Sequence, residues 1–157
     1  MSTLIVEELY SGIEFNQPVT IDKDINVAHI RPWIYKHGTL VDGDFQVDVL
    51  DGATIIASTG FSFTDINAAI TNTYAHGFLR FDFSSLILRV PEGSASKEYT
   101  FRFSMQNHTT DLNNFLGISR RWEAKVYGTY GDGVVDNEAP NDMVEPAGLE
   151  IFEYKVI

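Results

Sequence analysis

The sequence predicts an all-β fold, an antiparallel sandwich or barrel with at most one short helix. Three observations carry that prediction. Segments with alternating apolar and polar residues, the period-2 signature of half-buried strands, follow one another along the 157 residues. Turn residues such as Asp51-Gly52 and Pro91-Glu92-Gly93 separate them at short spacing. Charged residues make up only 21% of the chain, so much of its polarity comes from Thr, Ser, Asn and Gly, which suit strands and turns better than helices.

The elements follow in order. "LIVEELY" (residues 4–10) is the first strand, and residues 1–22 read as an N-terminal arm or edge strand of one domain spanning 1–157. "PVTID" (18–22) is a short strand. "VAHIRPWIYKH" (27–37) is long, and one of its faces carries His29, Arg31, Trp33, Tyr35 and His37, the other Ile30, Pro32, Ile34 and Lys36. Pro32 has no N–H for a ladder, which predicts an edge strand or a bulge there. "VDGD" (41–44) is a turn. "FQVDVLD" sets Phe45, Val47 and Val49 against Gln46, Asp48 and Leu50, and "DGATIIAST" turns tightly into the second arm of a hairpin.

"TDINAAITNTY" (64–74) is the only helical segment, with Thr64 as its cap and Ile66, Ala69 and Ile70 on one face. "FLRFDF" opposes Leu79, Phe81 and Phe83 to Phe78, Arg80 and Asp82, and "SLILRV" puts Leu86, Leu88 and Val90 on one side. After the loop "PEGSASK", "EYTFRFSMQ" places Tyr99, Phe101, Phe103 and Met105 on one face. "RRWEAKVYGTYG" (120–131) is a further strand, "DGVVDNEAPNDMVEPAG" a long acidic loop, and "LEIFEYKVI" a closing strand with Phe152, Tyr154 and Val156 together.

The balance of charge narrows the function. A net charge of −11, with eleven scattered basic residues, offers no basic footprint for nucleic acid and none for an anionic membrane surface. The absence of cysteine excludes disulfides, thiolate catalysis and Cys-ligated zinc. No apolar run has the length of a membrane span, and "MSTLIVEELYSGIEF" lacks the basic and apolar regions of a signal peptide, so synthesis in a cytosol is expected.

No catalytic motif is visible, neither G-x-S-x-G nor H-E-x-x-H nor a phosphate-binding glycine loop, and no cofactor is expected. Gly43, Gly52 and Gly93 stand at turns. His29 and His37 lie eight residues apart on one strand face, too far at about 3.3 Å per residue to share an ion; with His76 and His108 they read as surface or structural residues. Asp132, Asp136, Asn137, Glu138 and Asp142 offer oxygen ligands, but their spacing is not that of an EF-hand, and a solvated loop is the preferred reading. Among 22 acidic residues no pair is marked by an apolar setting as a glycosidase dyad. The aromatics are the best candidates. Most Phe are core, but Trp33, Tyr35, Trp122, Tyr127 and Tyr130 carry polar edges suited to stacking on sugars or to burial at a protein interface, with Arg31 and Arg121 beside them.

The succession "IRPWIYKHGTLVDGDFQVDVLDGATIIASTGFSF", then "GFLRFDFSSLILRVPEGSASKEYTFRFSM", and the closing "GLEIFEYKV" resembles the jelly-roll β-sandwich modules of bacteriophage virion proteins, which are similar to bacterial carbohydrate-binding modules. It covers roughly residues 27–105 and the last strand. The resemblance implies a non-enzymatic binding or assembly module, a capsid decoration (cement) or tail accessory protein of the virion. Its partner would be a major capsid or tail protein, and it would form a homo-oligomer such as a trimer. The chain's short, cysteine-free and leaderless form fits virion modules better than a secreted lectin. Carried over, Ile30 and Ile34 face inward and leave Arg31, Trp33 and Tyr35 outward; Pro32 departs from the aliphatic residue usual between them. The alternative is a carbohydrate-binding or tail host-recognition module.

Overall fold

A computed structural model describes residues 5–9, 14–41, 43–107, 114–120, 129–130, 134–135 and 149–153, and the structural statements below concern these. The elements are β1 (Ile5–Leu9), β2 (Glu14–Ile21), β3 (Ile25–His37), β4 (Asp44–Asp51), β5 (Thr54–Ser62), α1 (Phe63–Ala69), β6 (Tyr74–Phe78), β7 (Phe81–Leu88), β8 (Lys97–Gln106), β9 (Phe115–Arg120), β10 (Thr129–Tyr130), β11 (Val134–Val135) and β12 (Leu149–Glu153). They form two antiparallel sheets. The first runs β1-β9-β3-β12, with β6 and β7 also on β3; the second runs β10-β2-β8-β4-β5, with β11 also on β2. The chain is therefore an all-β sandwich with one short helix. It changes sheet at most connections, and the β4–β5 hairpin closes within its sheet through Gly52-Ala53, Gly52 taking the positive φ of 61° that such a turn requires.

The alternation read in the sequence is the alternation of burial. Phe15, Val19 and Ile21 on β2, Phe45, Val47 and Val49 on β4, and Tyr99, Phe101, Phe103 and Met105 on β8 all point between the sheets. On the first sheet Leu79, Phe81, Phe83, Leu86 and Leu88 are buried as expected. Five Phe rings run through the layer: Phe15 to Phe103 at 6.5 Å, Phe103 to Phe45 at 5.9 Å, Phe45 to Phe81 at 5.6 Å and Phe81 to Phe61 at 4.9 Å. Each fully buried ring is worth about 2–3 kcal/mol of transfer free energy, so this row is a large share of what holds the sheets together. The Tyr99 hydroxyl donates to the Arg89 carbonyl at 2.7 Å and accepts from the Arg89 amide at 3.0 Å, which satisfies the polar end of a buried ring.

The edge position expected for the strand around Pro32 does not form. β3 is interior, with β6 and β7 end to end along one side and β9 and β12 along the other. Pro32 stands where β7 pairing stops at Ile30 and β6 pairing begins at Trp33, so the missing N–H falls at a break in the neighbouring ladder; Leu79 N–H still donates to the Pro32 carbonyl at 3.3 Å. Pro18 is placed the same way. It pairs with Thr100 on one side, and on the other it lies between β11, which stops at Asn16, and β10, which starts at Val19. Pro32 is thus tolerated inside a sheet because the facing strand is interrupted there.

The bulge is four residues from Pro32. Phe152 pairs with His29 and Glu153 with Val27, which leaves Ala28 as the extra residue. The buried set of β3 changes parity across it, from Ile25 and Val27 to Ile30, Pro32, Ile34 and Lys36. β7 changes parity in its facing stretch, from Phe81 and Phe83 to Leu86 and Leu88, so both strands keep apolar residues inward.

Other elements depart from the sequence reading. The helix is capped by Ser62, whose hydroxyl accepts from Asp65 N–H at 3.2 Å, and not by the exposed Thr64. Its buried residues are Phe63 and Ile66, with Ile70 buried just past its end, while Ala69 is exposed. β2 begins four residues before "PVTID", and β9 formed from "FLGISR", a segment with a glycine in its middle that the sequence reading did not assign. Leu50 is buried although it stands opposite Val49 in the alternation. Of the strand expected at 120–131, Arg120 closes β9 and Thr129-Tyr130 form β10, while residues 121–128 lie outside the described set.

Candidate functional site

The inward assignment of Ile30 and Ile34 is borne out, each at 0% exposure. The other face of β3 holds His29, Arg31, Tyr35 and His37, all half-buried. The neighbouring strands extend this into an aromatic face. His37 lies between Tyr74 on β6 and Phe115 on β9, Tyr35 between His76 and Gly117, and Trp33 beside Phe78. The His37 ring stacks on Phe115 with centroids 4.5 Å apart and planes 8° from parallel, and meets the Tyr74 ring edge-on at 4.7 Å. Tyr35 packs at 6.3 Å from Phe115, and its hydroxyl lies 3.2 Å from His37 Nδ1. Phe115 is only 5% exposed although it lies outside the central core cluster. Tyr74, at 61%, is the most exposed large apolar side chain of the described residues. The group is a set of rings with ordered undersides and one open ring, the form of surface that stacks on a partner's planar or apolar group.

Beyond the rings the same face turns charged. Arg31 and His29 continue along β3, and His29 pairs with Asp82 on β7. Asp82 accepts from Arg80 Nε at 2.8 Å in an exposed ion pair. Burial, together with the Arg80 and Arg31 guanidiniums, holds the His29 imidazole below its ordinary value against the opposing pull of Asp82.

The expected site residues come from both sheets. Arg31 and Tyr35 share the outward register of β3 in the first sheet and Trp33 stands between them in the strand, whereas Tyr130 pairs with Val19 of β2 in the second sheet. Trp122 and Tyr127 lie outside the described residues, as does the acidic loop with Asp132, Asp136, Asn137, Glu138 and Asp142. Sequence reasoning missed Tyr74 and Phe115 as members of the face. Tyr74, His76 and Phe78 alternate and carried the signal for the first, but that stretch was divided between a helix and the next strand.

The outer face of the second sheet is different. Asp48, only 2% exposed, accepts from Gln46 Nε2 at 2.8 Å, Ser58 Oγ at 2.5 Å and Arg102 Nη2 at 2.8 Å. Burial raises its affinity for a proton, but those three hydrogen bonds and the Arg102 charge outweigh this and hold the carboxyl below its ordinary value. Glu14 Oε2 stands 3.9 Å from Arg102 Nε, which is buried without a hydrogen bond. An ionised carboxylate with its lone pairs occupied is a structural node and a poor general acid. Lys36 has a similar role on the inner side of β3. At 3% exposure it donates to the Ile70 carbonyl at the end of α1 and reaches Asn67 Oδ1 at 3.5 Å, while Asn67 Nδ2 donates to the Leu40 carbonyl at 2.9 Å. Desolvation lowers the Lys36 pKa.

Among the described residues no group of three or more His, Asp or Glu is arranged to hold a metal ion, and no helix is long and apolar enough to cross a membrane. Compared with models of protein families, with curated proteins and with solved structures, the chain matches none.

Proposed function

We propose that this chain is a non-enzymatic virion structural protein of the decoration or cement kind, and that the aromatic face of the first sheet grips the capsid surface. The observation that carries this reading is the Tyr35–His37–Tyr74–Phe115 group, rings ordered from beneath with one left open outward. The strand order supports the jelly-roll part of the reading. With β6 and β7 counted as one interrupted strand, β1-β9-β3-β6/β7 faces β2-β8-β4-β5, the order expected when a chain folds as two Greek keys. The partner in this reading is a major capsid or tail protein.

The test is cosedimentation of the purified protein with particles that lack it. Wild type pelleting with particles, and Tyr74→Ala pelleting at least tenfold less, supports the reading. Absence of the chain from purified native particles by mass spectrometry overturns it.

The second reading, a carbohydrate-binding or host-recognition module, has the exposed Tyr74 ring in its favour, since an open ring beside His37 also suits the apolar face of a sugar. Saturable binding on a glycan array that Tyr74→Ala abolishes would move the conclusion to that class.

A further inference from the structure

β5 ends the second sheet; among the described residues it pairs with β4 alone. The hydrogen bond from Phe63 N–H to the Gly43 carbonyl, at 2.9 Å, sets the phase of that ladder. Odd-numbered residues around Thr59 and Phe61 turn their backbone groups to β4, and Ser58, Gly60 and Ser62 turn theirs outward. Ser58 and Gly60 are exposed, so a nine-residue strand leaves its outer edge open.

Sheet edges are commonly protected by charge, proline, shortness or a bulge. β5, "TIIASTGFS", has no charged residue and no proline; its ladder with β4 shifts by one residue at Ile56, which leaves residues 57–62 in regular pairing, and it exposes Ile55 at 50% and Ile56 at 41%. Two grooves flank it. One, about 370 Å³, is lined by Asp44, Gln46, Ser58, Gly60 and Ser62 among others; the other, about 270 Å³, lies toward β7 and is lined by Ile56, Ser58, Phe83 and Leu86 among others. A strand added at this edge would direct alternate side chains into the two grooves, with Ser58 common to both.

We infer that the added strand is β5 of a second copy, paired antiparallel about a two-fold axis near Ser58, so that the second sheets of two sandwiches become one. Charge favours a copy here. With a net charge of −11, most faces of this chain repel another. Beside β5 the acids are already compensated: Asp48 by Arg102 at 2.8 Å, Asp51 by Lys97 at 2.7 Å and Asp82 by Arg80 at 2.8 Å. Asp44, at the Ser62 end, would stand by the copy's uncharged Thr54. Pairing of identical edges is isologous and closes at two copies, so the product is a dimer, whatever the aromatic face binds.

The chain has no cysteine, which makes single-cysteine crosslinking clean. Sedimentation of the full chain should give a concentration-dependent dimer, and Ile56→Lys, or Ile55→Lys should that variant misfold by circular dichroism, should halve the mass at unchanged helix and strand signal. Under mild oxidation Ser58→Cys should crosslink between copies, and Asp22→Cys, at an exposed site just past β2, three strands from β5, should not. A wild type that remains monomeric at its solubility limit overturns the inference, as does a dimer that survives both lysine variants. Neither outcome bears on particle binding, which the cosedimentation test reads separately.

Discussion

The outer faces of the two sheets are built on the same inward alternation and end in opposite chemistry. On the second sheet polarity is turned back on itself: Asp48 accepts from Gln46, Ser58 and Arg102, and Ser104 accepts from Gln106 at 3.0 Å. The Asp48 carboxylate is left with little capacity to accept from a partner. On the first sheet the rings of Tyr35, His37 and Phe115 support one another and leave Tyr74 open. A strand's inward residues must satisfy the core, but its outward residues answer only to their cross-strand neighbours, so one fold can carry a face built round a paired carboxylate and a face that leaves a ring open.

The sharpest way to break this comparison is Asp48→Ala. It leaves Arg102 with its principal partner gone in a mostly buried setting, and the expected loss of stability is about 3 kcal/mol, read from urea denaturation. An equal change from Tyr74→Ala would show that the two faces are not different in kind. Next in size is His37→Ala, which removes the ring stacked on Phe115 and should cost about 1 kcal/mol. Its measurement is the same denaturation curve, and its binding readout is cosedimentation with particles.

Acid should separate the faces by pH window. The folded pKa of Asp48 lies below the ordinary 3.8, so its contribution is present above that value and is lost only as pH falls through the lower folded value. His29 is also held down, from 6.5, so the unfolded chain takes up that proton first and stability begins to fall as pH drops below 6.5. Denaturation midpoints should therefore decline in two steps, and Asp48→Asn should remove the more acidic one while His29→Gln removes the other. A single step, unchanged by either variant, would contradict the assignment. The smallest effect is expected from Asp82→Asn, where Arg80 and Asp82 are both about two-thirds exposed; a change within about 0.5 kcal/mol in thermal unfolding is expected.

Much of the core was legible in the sequence. The inward sets of β4 and β8, the burial of Ile30 and Ile34 and the glycine turn at Gly52 follow from period 2 and from φ preference, which are local properties. The aromatic face was legible only in part. Tyr35 could be placed by alternation, but its neighbours Tyr74 and Phe115 come from strands about forty and eighty residues away, joined by a register that no local pattern encodes. The Asp48–Arg102 pair was not legible at all. In "FQVDVLD" the carboxylate reads as one more outward polar residue, and its partner is 54 residues distant.

By itself the sequence determined the β class, the alternation of each strong strand and the lack of charge along β5, because these depend on the order and type of adjacent residues. Tertiary structure alone decided that Pro32 lies inside a sheet, that Ala28 bulges and re-phases β3, that Lys36 closes the end of α1, and that Asp48 is buried and ionised. Each of these is set by what stands on the neighbouring strand or helix, and cross-strand pairing fixes that neighbour across the whole length of the chain.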